Sequence, residues 1–486
     1  MGVTERRIRS PRPVPANSLA QLLLGLEAEF EVPAPFDEQT LEAAEQAVAQ
    51  LQLPDQDATG IPFFTIDPPG ATDLDQAMFL ERHGDGYTVH YAIADVPAFV
   101  ALGGQLDAVA RQRGQTYYLP HRKITLHPPL ISEDQGSLLP GKERPAFHWK
   151  ISLDADGALG KVELNRARIR SRAQLDYASA QARLDSGEPD EQLELLAEIG
   201  AARLRQEQLR GGASLNLPDQ EIEEAGEGYK LVSRTPLPLE GHNAQISLLT
   251  GIAAARIMLK AGVGILRTMP APDDADQREF RTQTQLLGTP WDESLSYGQY
   301  LHALDVSDPK QLVIMHRAAA LFRGADYQVI NGQPEEELIQ AALAAPYAHT
   351  TAPLRRLVDR FVLLTCNLLS TGQPLPAQLS SALEDLPGLM RSSSIAANRV
   401  NNAAVDLLEA YVLKTRVGEE FQAIVLKSAE QKEDGKIRPG VLQLADEPIT
   451  GSFTGSAQPG TLVRVKLVQA DPEVRKISFE IVASDS

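Results

Sequence analysis

The sequence predicts an α+β fold: a mixed sheet surrounded by helices, a small helical segment before it, and a five-stranded OB barrel after it. Three observations carry this. From Ile61 the chain reads as strands with alternating apolar residues and turn signals between them. Residues 190–415 are mainly helical in pattern, with long periodic segments such as "AQISLLTGIAAARIMLKAG" and "NRVNNAAVDLLEAYVLKTR". The tail then returns to short strands separated by Gly, Pro and Asp.

In chain order, residues 1–16 are basic and Pro-rich and are expected to be flexible. "NSLAQLLLGLEAEF" follows as a helix with an Asn/Ser cap, and "FDEQTLEAAEQAVAQLQL" as a second helix capped by Asp37. Two short helices bury too little to stand alone, so they should pack on another domain. They are compatible with a helix-turn-helix-like arrangement. "PDQDATG" reads as a linker ending near Gly60.

The strands "FFTID", "DQAMFLE" and "YTVHYAIADV" come next, with "GDG" at 84–86 turning a hairpin between the last two. A second hairpin turns at "DADG". Its return strand carries Arg166, Arg168, Arg170 and Arg172, which at a period of two share one face. A solvated strand face accounts for them slightly better than an RNA-contact surface. In the tail, "EEFQAIVL", "IRPGVLQL", "ITGSF", "GTLVRVKLVQ" and "RKISFEIV" are five strand patterns, the number of a small OB barrel.

Composition narrows the function classes. The 486 residues carry 46 Lys+Arg against 65 Asp+Glu, a net charge of −19. That sign argues against binding duplex nucleic acid by bulk charge, though it permits a local basic channel. The single cysteine, Cys366, lies in the apolar run "RFVLLTCNLL" and reads as a buried small hydrophobe. One cysteine leaves no intrachain disulfide and fits a reducing, cytoplasmic compartment. No apolar run reads as long enough to span a bilayer, and the arginine-rich start lacks the apolar stretch of a secretory signal.

Chemistry concentrates in "IDPPGATDLDQAM", where Asp67, Asp73 and Asp75 fall within nine positions. No Lys or Arg occurs from Gln52 to Glu81, so the neutralising charge must come from far along the chain or from bound metal. "PPG" after Asp67 forces a turn, and in an extended segment Asp73 and Asp75 point the same way while Leu74 faces the core. Clustered carboxylates raise one another's pKa, and magnesium or manganese would relieve that with hard oxygen ligands. On spacing alone, turn-capping aspartates explain the pattern equally well.

"TIDPPGATDLDQAM", "VHYAIADV", "YYLP", "SEDQGSLLPGKERPAF" and "YAHTTAPLRRLVDRF" occur in the order and at intervals similar to those of the ribonuclease II/ribonuclease R family. The resemblance implies an RNB catalytic domain over residues 61–415, a C-terminal OB-fold RNA-binding domain over 416–486, and an N-terminal segment over 1–60. Because only 60 residues precede the catalytic domain, it implies a short member without the paired cold-shock barrels.

It further implies a processive 3′→5′ hydrolysis of single-stranded RNA to 5′-mononucleotides with Mg2+, Mn2+ being an alternative. The expected partner is single-stranded RNA, without membrane or nucleotide cofactor, and the expected state is a monomer. By position, Asp67, Asp73 and Asp75 match three of the family's four active-site aspartates, and Gln76 stands where the fourth would be. Gln76 could ligate metal through its amide oxygen without bringing charge.

Arg355 matches the arginine that grips the RNA phosphate, and Arg356 beside it is a further expected RNA contact. Arg355's planar fork suits bidentate phosphate binding. Tyr118 matches the tyrosine that stacks on the terminal base; without the motif it reads as a half-buried strand aromatic. Other positions depart from the pattern. Asn402 stands where the family often has a glutamate, and Ala92 where a histidine is common. Residues 179–228 hold no aromatic to complete the base clamp.

Overall fold

The computed structural model describes residues 8–9, 18–188, 190–213, 219–225, 228–292, 294–332, 338–431 and 437–484. The basic N-terminal tail lies outside these apart from Ile8–Arg9, which pairs in parallel with the strand Asp219–Ala225.

A six-stranded mixed sheet forms the centre. Its strands run in the order Leu159–Arg170, Glu143–Leu153, Gly86–Ala94, Gln76–His83, Phe64–Asp67 and Ala173–Asp176. All neighbours are antiparallel except the last pair, where Asp67 lies beside Asp176 in parallel register. Gly86–Ala94 is buried at every position, as a strand covered on both faces must be. The predicted hairpins form at "GDG" and "DADG", with Gly84 and Gly157 in the left-handed region that glycine adopts without a steric penalty.

One face of the sheet packs against the helices Glu191–Arg210, Pro238–Ala261 and Leu357–Ser370. Pro238–Ala261 corrects one sequence expectation, being long and apolar enough to cross a membrane by length and composition. In the fold it is a core helix: Leu239, Ile246, Leu249, Ala253, Ala254, Ala255 and Met258 are buried in the main hydrophobic cluster. Cys366 is fully buried in the same cluster.

The tail closes into a barrel of the strands Glu420–Lys427, Gly440–Leu444, Thr450–Thr454, Lys476–Ser484 and Leu462–Asp471, the last pairing back to the first. This is the five-stranded architecture expected of an OB fold. The 37-residue helix Ala377–Leu413 joins the two halves. Leu379, Leu383, Leu386 and Met390 belong to the core beside the central sheet, whereas Leu407, Leu408 and Leu413 belong to the core of the barrel.

The two N-terminal helices serve different cores. Leu19, Leu23 and Leu26 of Ser18–Glu29 pack with the long helix and the barrel. Ala44 of Glu38–Ala49 packs with Phe63, Leu74 and Val96 beside the central sheet. Asp37 caps the second helix by accepting from the Thr40 amide at 2.8 Å. The two helices therefore contribute to separate cores.

Charged contacts fix the first helix at two places. Glu29 accepts two hydrogen bonds from Arg475 of the barrel, at 2.7 and 2.8 Å. Glu27 accepts from His121 at 2.8 Å and from Arg122 Nε at 2.7 Å. His121 and Arg122 form the turn of a short ribbon, Tyr117–Tyr118 paired with Lys123–Ile124.

Candidate active site

Asp67 ends its strand, and "PPG" turns the chain immediately, with the Ala71 amide bonding the Pro68 carbonyl at 3.2 Å. The segment then carries no regular secondary structure until Gln76, where the next strand starts. Leu74 is fully buried, as the alternation predicts, and its amide is held by Ser137 Oγ at 2.9 Å. This fixes Asp73 and Asp75 on either side of it.

Arg355 reaches this segment from a loop that is stitched in place. The Thr116 amide donates to the Arg355 carbonyl at 2.9 Å, and the Leu357 amide to the Gly114 carbonyl at 3.0 Å. Gly114 has φ +71, and an added Cβ would lie 2.3 Å from the Ser393 side chain, so the position requires glycine. The same strand-like run leads into Tyr118, so the arginine and the tyrosine are delivered together.

Protein donors meet the carboxylates. Asp75 is 2% exposed and accepts from the Leu354 amide at 2.8 Å and from Arg355 Nε at 3.1 Å. Asp73 accepts from the Tyr118 hydroxyl at 2.7 Å and from the Lys123 ammonium at 2.8 Å. The partners thus come from far along the chain, which answers the charge problem posed by the sequence for two of the three aspartates. Gln76 donates its side-chain amide to the Thr351 carbonyl. Arg356 lies apart from the carboxylates: its guanidinium is committed to the fully buried Asp359 at 2.6 and 2.9 Å.

Burial makes two of the three carboxyls hard to ionise. Burial pushes the Asp67 carboxyl up to about 6; Arg355 opposes the rise and Asp73 adds to it. Burial likewise pushes Asp75 up to about 7 against the pull of Arg355 and the Leu354 amide. Burial, with Asp73 behind it, raises the Tyr118 hydroxyl well above its ordinary value, so it stays a proton donor. Burial disfavours the Lys123 ammonium, yet Asp73 and Glu133 outweigh this and raise its pKa.

Among the described residues no three His, Cys, Asp or Glu side chains are gathered as a preformed metal cage. The donor chemistry nevertheless fits one hard divalent ion. Asp67 and Asp73 are carboxylates in mutual repulsion, and the burial of Asp67 is only partly compensated by protein cations.

Lys123, Glu133 and Tyr177 are further residues acting on this cluster that the sequence does not single out. Lys123 follows Tyr118 by five positions, and a tight ribbon there would have set it opposite the tyrosine. Tyr177 raises no motif, but Asp67 contributes to the upward shift of its hydroxyl, which accepts from Asn243 at 2.7 Å. The arginine strand is structural. Arg166 binds the buried Asp95 at 2.6 Å, Arg168 binds Asp57 at 2.8 Å, Arg170 binds Glu143, and Arg172 donates to the Thr59 carbonyl. Asn402 is exposed on the long helix.

Comparison with known proteins agrees with this layout. Residues 55–369 match the RNB domain, and residues 419–482 match the RNase II-type exonuclease C-terminal S1 domain. Ribonuclease R of Aquifex aeolicus is 27% identical over 474 residues, covering 86% of this chain. The match spans 64% of that protein's length, so the chain corresponds to a part of it. Among solved structures, Mycoplasma genitalium RNase R in complex with ribose methylated single-stranded RNA superposes with a TM-score of 0.84 at 18% identity. The match covers 96% of this chain and 78% of that one. Yeast Ssd1, a pseudonuclease, superposes with a TM-score of 0.66 at 17% identity, covering 91% of this chain and 54% of that one. With the RNB match extending over well more than half of its length, the chain belongs to the RNB family of ribonuclease II- and ribonuclease R-type proteins.

Proposed function

We propose that the chain is a hydrolytic exoribonuclease that degrades single-stranded RNA in the 3′→5′ direction, releases 5′-mononucleotides and depends on Mg2+. One observation carries the reading: Asp67, Asp73 and Asp75 stand in one site with Arg355, a carboxylate cluster and a phosphate-binding group together. A pure RNA-binding module has no need of buried carboxylates beside the phosphate it holds.

Asp67 and Asp73 would hold a divalent ion, which when bound supplies Lewis-acid polarisation of the scissile phosphate. The chain's own residues do the positioning. Arg355 is tied through Nε to Asp75 while its side chain remains 41% exposed, which leaves the outer edge of the fork for a phosphate. Asp75 fixes the direction of that fork and balances its charge. Tyr118, held at its hydroxyl by Asp73, offers its ring to the terminal base. The barrel would guide the strand toward the site, and the acidic bulk would confine RNA to that path. A monomer in a reducing, cytoplasmic setting completes the proposal.

The test is hydrolysis of 5′-labelled and uniformly labelled single-stranded oligoribonucleotides with Mg2+ or with chelator. Shortening from the 3′ end, mononucleotide products and loss of activity in chelator are expected. A second reading, a catalytically weakened RNA-binding protein, is favoured by Gln76, whose amide is turned to the Thr351 carbonyl. RNA binding without any Mg2+-dependent hydrolysis would establish it instead.

A further inference from the structure

Lys123 is held by three oxygens beside the candidate site. Its ammonium lies 2.8 Å from Thr72 Oγ1, 2.8 Å from Asp73 Oδ1 and 2.5 Å from Glu133 Oε1. An ammonium has three N–H donors, and three oxygens meet them. The site is built rather than incidental. Lys123 is 27% exposed, Asp73 14% and Glu133 26%. Lys123 is also the direct cross-strand partner of Tyr118, whose hydroxyl takes the other oxygen of Asp73. A ribbon of four paired residues therefore grips both oxygens of one carboxylate, and Glu27 pins its turn.

We propose that Lys123 is a positioning residue whose tethered ammonium takes a cation's place on Asp73 and competes with divalent metal for that carboxylate. The proposal rests on the metal-dependent reading above. A divalent ion ligates oxygen at about 2.0–2.1 Å for magnesium, and like charges exclude one another at such separations. Metal drawn to Asp73 Oδ1 must displace the ammonium, whereas a lysine bound to the chain never leaves by dilution. Two carboxylates with one ammonium keep a net negative charge, so the site still attracts a divalent ion, but weakly.

The test is Mn2+ binding to the full chain without RNA, followed by electron paramagnetic resonance and calorimetry. Lys123→Met keeps the aliphatic stem and removes the charge; it should bind Mn2+ at least tenfold more tightly than wild type or take up one more equivalent. Lys123→Arg should stay near wild type, and Glu133→Gln added to Lys123→Met should cancel the gain. Lys123→Gln carries the same expectation as Lys123→Met should the methionine variant fail to fold by circular dichroism. Unchanged or weaker Mn2+ binding in a folded uncharged variant overturns the proposal. A gain in Mn2+ binding in a chain that hydrolyses no RNA would uphold it while refuting the nuclease reading. Metal-dependent hydrolysis with equal Mn2+ affinities would do the reverse.

Discussion

Arg355 Nε donates to Asp75 Oδ2 at 3.1 Å, joining residues 280 positions apart in the chain. The bond sets the direction in which the guanidinium presents its free edge. It also makes Asp75 more than a charge, because the Leu354 amide takes the other oxygen of the same carboxylate.

Asp75→Asn should therefore cut turnover by about 10²-fold or more, the scale seen when one preorganised transition-state donor is lost. RNA binding should survive, since the S1 barrel and Tyr118 are untouched. Single-turnover hydrolysis and filter binding on the same preparation check this. Equal hydrolysis by variant and wild type would remove Asp75 from the site.

Asp67 predicts a pH dependence. Its folded pKa is raised to about 6 from an ordinary 3.8, chiefly by burial. The folded state thus keeps a proton that the unfolded state has lost, and this contribution, present below pH 3.8, disappears as pH rises through 6. Metal-free Asp67→Asn should then be more stable than wild type at pH 8, by up to about 3 kcal/mol, and no more stable at pH 3.5. Added Mg2+ should close the gap at pH 8 by stabilising the wild type. Melting curves at the two pH values decide it; a constant difference across them contradicts the assignment.

Gln76→Asp adds a carboxylate where the amide now donates to the Thr351 carbonyl. The half-saturating Mg2+ concentration for hydrolysis should fall, while the metal-free protein should lose about 1 kcal/mol with that hydrogen bond. A Mg2+ titration of initial rates reads the first effect and denaturant unfolding the second. An unchanged Mg2+ requirement would place residue 76 outside the metal's reach.

Glu27→Ala tests the support behind the ribbon. Glu27 is 10% exposed and accepts charged hydrogen bonds from His121 and Arg122, contacts of a kind worth about 1.5–3 kcal/mol each. With the turn released, Tyr118 and Lys123 should lose their fixed approach to Asp73. Turnover should fall about tenfold, equivalent to roughly 1.4 kcal/mol of barrier. Wild-type rates in this variant would show that the ribbon holds its shape without the first helix.

Much of this architecture was legible in the sequence, for local reasons. The sheet and barrel strands carry a period of two bounded by glycine turns, and Asp37 announces its helix. Asp67, Asp73, Asp75 and Arg355 were legible through ordered motifs. The rest depends on contacts that local patterns do not encode. Lys123 sits in a strand of two residues, too short to show any period. The partners of Arg166, Arg168 and Arg170 are single acids scattered at Asp95, Asp57 and Glu143, so a strand of arginines looked like an open charged face. Pro387 hides the continuity of the long helix, since an interior proline ordinarily argues for a break.

That helix has a thermodynamic consequence. At 1.5 Å per residue its 37 residues extend about 55 Å, and its two ends are buried in two different cores. Neither core can melt without stripping apolar partners from one end of a rod the other still needs. Unfolding should accordingly be cooperative across the whole chain, with one calorimetric transition, and a cut placed to free the barrel would leave both fragments with an uncovered leucine stripe.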